Sequence, residues 1–347
     1  MATNEDFVYL GCYTDERGGE GEGIALLRRD RATGALTPAG VVARTPAPSF
    51  VGQHPTLPVV YAVNELTEGA VSAFAVEPDA TLTLLAVRQT GGKEPCHLAV
   101  SSDASHLLVA NYTSGDVAVF PLDADGVPGE RSDLLDLQGS GPVEDRQEGP
   151  HAHMVNPDPN GPDVLVCDLG SDRVWHTRLD AVSGRLTLVG PAIVAEPGTG
   201  PRHLLRVPGG DILLVGELSG DLGRFRPGPS GAYVQAAVEV TSAAKPNQPS
   251  ELTTGRNGRF VYVANRGPDT ISVFDGDRLI AEVATGGEWP RHIALVGDHL
   301  YVANERSHNV TIFRIDPDSG IPVIQGEPVH QGSPTCILQY RTPIGMG

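Results

Sequence analysis

Seven recurring prolines in this chain open segments rich in residues that move protons or bind anions. After Pro48, Pro95, Pro150, Pro201, Pro249, Pro290 and Pro334 come Ser49-Phe50, Cys96-His97, His151-Ala152-His153, Arg202-His203, Ser250-Glu251, Arg291-His292 and Thr335-Cys336. A second set closes the apolar run that follows each opener: Asn64-Glu65, Asn111-Tyr112, Asp168-Leu169, Glu217-Leu218, Asn265-Arg266, Asn304-Glu305 and, from the start of the chain, Cys12-Tyr13. Histidines and carboxylates exchange protons in catalysis. Arginines grip anions through a planar fork that lysine lacks. The pattern points to acid–base chemistry on a small anionic molecule.

The elements that must position these residues repeat with them. The openers lie between 41 residues apart (Pro249 to Pro290) and 55 apart (Pro95 to Pro150). A repeat of this length holding several short strands is the mark of a propeller blade. The clearest copy reads Pro-Arg-His-Ile-Ala-Leu-Val from Pro290, a Gly297-Asp298 turn, Leu-Tyr-Val-Ala-Asn-Glu, and then Asn-Val-Thr-Ile-Phe-Arg-Ile-Asp to Asp316. A fourth, outer strand follows in most units, as at Ile321 to Ile324. Apolar and β-branched runs between Gly, Asp and Asn turns read as antiparallel strands, and no helical period competes with them.

The first unit lacks an opening strand before Phe7 to Tyr13, and Pro334 to Tyr340 supplies one. Pairing the two closes a ring and removes its exposed edges. The expectation is an all-β, seven-bladed β-propeller closed by the C-terminal strand on the N-terminal blade, with residues 1–347 forming one domain. In such a blade the first strand starts and the second ends at the same side of the disc, near the central channel. Both chemical sets therefore belong to one mouth.

A formal net charge of −18 disfavours nucleic acid as a partner. Only Lys93 and Lys245 are lysines, so nearly all positive charge is arginine. Arg202, Arg266 and Arg291 at equivalent places make a positive pocket in a negative body, as an anionic substrate requires. The N-terminus has no apolar leader and no run is long enough to span a membrane, so a cytoplasmic protein, monomeric or weakly dimeric, is expected. Cys12 and Cys336 are expected on adjacent strands as reduced thiols. The irregular stretch from Gly139 to Gly149 ends at the His151 segment and reads as a rim or lid loop.

The segments Glu148-Gly-Pro-His-Ala-His-Met, Asp168-Leu-Gly-Ser-Asp-Arg-Val, Gly200-Pro-Arg-His, Pro249-Ser-Glu-Leu and Tyr262-Val-Ala-Asn-Arg resemble the seven-bladed propeller lactonases. That family includes bacterial 6-phosphogluconolactonases and fungal 3-carboxy-cis,cis-muconate lactonizing enzymes. The resemblance implies an active-site histidine at His151 or His153, arginines at Arg202 and Arg266, and a glutamate at Glu217. It also implies hydrolysis of an anionic sugar lactone, with 6-phospho-D-glucono-1,5-lactone as the leading substrate.

Opening a lactone needs a base for water and donors for the oxyanion. Glu217 is expected to take the proton, His153 or His151 to protonate the leaving alkoxide, Arg202 to polarise the carbonyl, and Arg266 and Arg291 to hold the anionic group. His97, His203, His292, Asn111, Asp168 and Glu251 are assigned to substrate contact. Two competing roles stand beside these. Terminal Asn and Asp residues commonly bond local backbone, and His97, His203 and His292 can equally fasten one blade to the next. No cofactor or metal is expected, since arginines repel a cation, and a nucleophilic serine route is disfavoured because no Gly-x-Ser-x-Gly elbow is present. The alternative activities are cyclisation of a carboxymuconate-type dicarboxylate, or a non-catalytic interaction platform.

Overall fold

The computed structural model describes residues 5–229, 231–255 and 258–343. Seven antiparallel sheets form the ring, each of four strands, with a short fifth strand, Val329–His330, in the Pro290 blade. The stretches read for a leader and the extreme C-terminus, residues 1–4 and 344–347, lie outside the described residues. The closing blade runs Pro334–Tyr340, Glu5–Cys12, Ile24–Asp30, Leu36–Ala43. Phe7 pairs Tyr340 and Gly11 pairs Cys336, so the C-terminal strand completes the N-terminal blade as expected.

Burial explains the strand composition. The second strands Val59–Asn64, His106–Asn111 and His299–Asn304 are buried at every position, because a blade is covered on both faces. Such strands read as continuous apolar runs, whereas the outer strand Arg278–Ala284 alternates between exposed and half-buried positions. Seven apolar clusters form the core, one between each pair of neighbouring blades. Leu10, Leu27, Tyr301 and Val310, for example, join the closing blade to the Pro290 blade.

A polar fastening at one repeat position, three residues before Cys12, Asn64, Asn265 and Asn304, crosses four of these interfaces. The hydroxyls of Tyr9, Tyr61, Tyr262 and Tyr301 donate to the carbonyls of Ala80, Gly126, Gly320 and Gly34, at 2.6 to 2.9 Å, each in a turn of the neighbouring blade. All four acceptors sit in turns with positive φ, between 67° and 77°. Cys12, Cys96, Cys167 and Cys336 are all buried free thiols, and burial pushes Cys12 and Cys336 up to about 12. Among the described residues no helix is long and apolar enough to cross a membrane.

Candidate active site

Strand pairing sets which residues face the mouth. Pro95 pairs Asn111, Ala152 pairs Asp168, Pro201 pairs Gly216, Pro249 pairs Asn265, Pro290 pairs Asn304 and Pro334 pairs Cys12. In six blades the next residue donates its backbone N–H to a carbonyl at the start of the opening segment: Glu65 to Ala47, Tyr112 to Glu94, Leu169 to His151, Glu217 to Gly200, Glu305 to Trp289 and Tyr13 to Ser333. Glu217 therefore belongs with Glu65, Tyr112, Leu169, Arg266, Glu305 and Tyr13. Aligned by the repeat alone, Glu217 falls beside Asn111 and Asp168, one position too early.

That single step gives Asn111 and Asp168 a bracing role within their blades. Asn111 Nδ2 donates to Asp116 Oδ1 at 2.6 Å within its own blade. Asp168 Oδ1 accepts the backbone N–H groups of His151, Gly170 and Ser171, while Oδ2 accepts from the Trp175 indole at 3.0 Å. Both side chains are fully buried and hydrogen-bonded within their own blades. Neighbouring strand residues point opposite ways, so the polar residue ending the strand braces the blade and its successor meets the channel. Asn265 and Asn304 bond inside their blades in the same manner.

The opening strands reach the channel through a bulge. Register shifts fall between Pro95 and His97, Ala152 and Met154, Pro201 and Leu204, Pro249 and Leu252, and Pro290 and His292. An extra residue in one strand re-aims side chains. Here the bulged residues include Cys96, His153, Arg202 with His203, Ser250 with Glu251, and Arg291.

Glu217 is the hub. Its Oε2 accepts from Arg202 Nε at 2.9 Å and Arg266 Nη2 at 2.6 Å, and its Oε1 accepts from Arg146 Nη2 at 2.6 Å. Burial pushes this carboxyl up, but Arg266, Arg202, His153 and Arg146 together hold it well below the usual range. Arg202 Nη1 also donates to the Ser250 carbonyl, and Arg266 Nε to the Gln248 carbonyl. Burial, then Arg266, pushes Arg202 down to about 10, so it stays protonated at neutral pH in a field that favours an incoming anion. Trp289 backs Arg266, its ring centroid 5.5 Å from the guanidinium carbon.

The two histidines of the His151 segment separate in space. His151 stacks on Tyr112 with centroids 4.6 Å apart, and its Nδ1 and Nε2 lie at 3.0 Å from the Tyr112 carbonyl and 3.2 Å from Glu148. It is committed to the rim. His153 is buried beside His203, 5.2 Å between centroids, and burial, then Arg202 and His203, lower its pKa well below the ordinary value. It is a neutral imidazole at pH 7.

One level deeper lies a floor of His97, His203, His292 and Glu251. Glu251 Oε2 lies 2.9 Å from His203 Nδ1 and 3.3 Å from His292 Nε2. His97 packs on Phe50 with centroids 4.2 Å apart and the rings tilted by 35°, and its Nδ1 accepts from the Val155 backbone in the next blade. His292 does the same with Ile337. The histidines thus converge near the axis, and two of them also fasten neighbouring blades.

Arg291 sits in a second cluster at the mouth. Its Nη2 donates to the Tyr13 hydroxyl at 2.5 Å and lies 3.8 Å from Glu65, and its Nη1 meets Glu305 at 3.4 Å. Tyr13 in turn donates to Glu65 at 2.7 Å. Its fork is occupied by protein acceptors. Tyr13, Glu65, Tyr112 and Glu305 were present in the aligned sequence sets but not assigned. Arg146 carries no repeat signal; its mark in the sequence is a charged residue in the longest irregular loop, just ahead of the His151 segment. Among the described residues no three His, Cys, Asp or Glu side chains are grouped to hold a metal ion.

A ring of seven blades whose central mouth joins a neutral histidine to an arginine-bound glutamate defines a propeller of the small-molecule enzyme class. Residues 7–339 match the family described as Lactonase, 7-bladed beta-propeller, and the chain belongs to that family. It is 32% identical to a Bacillus subtilis protein named 6-phosphogluconolactonase, over 95% of this chain and 97% of that one. A 6-phosphogluconolactonase of Formosa agariphila is 29% identical over 90% of this chain and 93% of its own. The solved structure of a Pseudomonas aeruginosa periplasmic gluconolactonase superposes with a TM-score of 0.90 at 29% identity, covering 98% of this chain and 100% of that one.

Proposed function

We propose that this protein hydrolyses 6-phospho-D-glucono-1,5-lactone to 6-phosphogluconate. The observation that carries the reading is Glu217 with three arginines beside a neutral His153, in a chain similar over nearly its whole length to the Bacillus protein of that name.

The chemistry follows from the protonation states. Both carboxylate oxygens of Glu217 are taken by guanidiniums, so the role assigned to it from sequence passes to His153. The neutral imidazole of His153 accepts a proton as water attacks the lactone carbonyl. The carbonyl π pair moves onto oxygen, where Arg202 stabilises it; Arg202 Nη2 has no protein partner among the described residues. Collapse breaks the bond to the ring oxygen, which takes the proton back from His153, leaving the open hydroxy acid. Glu217 pins the guanidiniums at the positions this requires.

Every residue named in this mechanism comes from one chain. A phosphorylated sugar lactone is formed where sugar phosphates are retained, so this reading places the protein in the cytoplasm; the Pseudomonas relative is periplasmic. The test is hydrolysis of freshly generated phosphorylated lactone against unphosphorylated gluconolactone, with chelator present and Arg202→Ala and Glu217→Gln as controls. Rapid turnover of the phosphorylated lactone, lost in both variants, is expected. No turnover above the spontaneous rate, with cyclisation of a carboxymuconate instead, would replace this reading with the cycloisomerase one.

A further inference from the structure

The mouth is electrically divided. On one side Arg146, Arg202 and Arg266 surround Glu217; counting Glu148, which pairs with His151 on the same rim, there are three positive groups against two negative. On the other, Arg17 and Arg291 meet Glu65, Glu94 and Glu305, two positive groups against three. An anion is drawn to the first side, and sugar hydroxyls find carboxylate acceptors on the second.

Of the three guanidiniums around Glu217, Arg146 alone combines exposure with two spare donor nitrogens. Arg202 and Arg266 are 3% and 5% exposed and each spends two nitrogens on protein acceptors. Arg146 has a side chain 33% exposed and uses Nη2 alone, toward Glu217 and the Tyr112 hydroxyl. Its Nε and Nη1 have no partner among the described residues.

The loop that carries Arg146 is fixed in place. The adjacent Gln147 is fully buried, and its amide donates to the Leu169 carbonyl at 2.8 Å and to Asp172 Oδ1 at 2.7 Å. Asp172 also accepts the backbone N–H groups of Gly198 and Gly200, next to Pro201 and Arg202. A guanidinium whose loop is tied to the turn feeding Arg202 holds a fixed distance from the reacting centre. It is pre-organised to receive a second, remote group of the substrate.

From these observations we infer that Arg146 is the specificity residue of the site: it binds the phosphate of the phosphorylated lactone, and so separates phosphorylated from unphosphorylated substrates. This rests on the lactonase reading above. It also replaces Arg291 as the anion holder.

The experiment compares kcat/KM for phosphorylated and unphosphorylated gluconolactone in wild type, Arg146→Gln, Arg146→Lys and Arg306→Ala, alongside calorimetric titration with inorganic phosphate. Arg306 is an exposed rim arginine lying over Trp289, its guanidinium carbon 3.5 Å from the ring centroid, and serves as the control. Arg146→Gln keeps an amide donor near Glu217 while removing the charge. The expected result is a fall of about 10- to 100-fold in the phosphorylated-to-unphosphorylated ratio in Arg146→Gln, mainly through KM. Partial recovery in Arg146→Lys, no change in Arg306→Ala, and phosphate binding lost only in Arg146→Gln would accompany it. An unchanged ratio in Arg146→Gln, or a collapse in Arg306→Ala instead, would overturn the inference while leaving the lactonase reading intact. If wild type hydrolyses neither lactone, that reading fails, and the phosphate titration alone decides whether Arg146 is an anion site.

Discussion

Glu65 and Glu217 occupy equivalent places in their blades, each donating its backbone N–H to the residue before the opening segment, yet they are held by opposite company. Glu65 accepts from Tyr13 and Arg17 in a half of the mouth where carboxylates outnumber arginines. Glu217 accepts from three arginines. The same backbone position thus serves both an acidic wall and a cationic one.

Replacing the hub has two consequences. Glu217→Gln is expected to lower kcat/KM at least about 100-fold, because the guanidinium that meets the oxyanion loses its fixed position. It also leaves three buried or half-buried guanidiniums without their shared carboxylate, at a cost of about 3 kcal/mol or more. Steady-state kinetics and thermal unfolding of the same sample measure both. An unaltered melting temperature would contradict the structural half of this prediction.

The His151 segment offers a direct comparison. His153→Ala is expected to reduce kcat by about 100- to 10,000-fold, the usual span for loss of a general acid–base group. His151→Ala removes a stacking partner of Tyr112 and is expected to act mainly on KM. Equal losses of kcat in both variants would show that the rim histidine takes part in proton transfer.

Stability should fall steadily with acid. Burial first, then neighbouring positive charge, lowers the pKa of His97, His153 and His203 well below 6.5; burial brings His292 to about 4. Below pH 6.5 the unfolded chain binds protons at these sites and the folded chain does not, so unfolding is favoured as pH drops. For His292 alone the loss between pH 6.5 and 4 is on the order of 3 kcal/mol. Glu217, held low, keeps its contribution above pH 4.5 and loses it only as pH falls through its folded value. Urea midpoints at pH 7.5, 6 and 5 test the trend, and a midpoint that rises from pH 7.5 to 5 would refute it.

The tyrosine fastenings make a separate prediction about the ring. Tyr61→Phe and Tyr262→Phe each strand a buried carbonyl, of Gly126 and Gly320, and should cost about 1 to 2 kcal/mol. They lie at different blade interfaces, so the double variant is expected to show the sum of the two losses. Denaturant midpoints with unchanged slopes provide the readout; no loss in either variant would mean that the hydroxyls contribute nothing across the interface.

Much of the architecture is legible in the amino acids because it depends on local rules. Prolines at blade starts, apolar runs buried on both faces, and a C-terminal strand matching the missing first strand are all periodic features. They imply seven blades, ring closure and one shared mouth. The same periodicity picks out His153, Arg202, Glu217 and Arg266, because their charged or titratable side chains stand where most repeats carry other residues.

What the tertiary structure alone decided is direction and partnership. Whether Asp168 or its successor faces the channel depends on a one-residue register fixed by hydrogen bonds between strands, and Asp168 turns inward to Trp175. Whether Arg291 is free to bind substrate depends on Tyr13, 278 residues away in the chain, which takes its Nη2. Arg146 meets Glu217 across 71 residues because Gln147 ties its loop to the neighbouring blade. Side-chain chemistry is written in the sequence, but whether a charge is spent on the protein or left for a ligand is set by which partners the closed ring brings within about 3 Å.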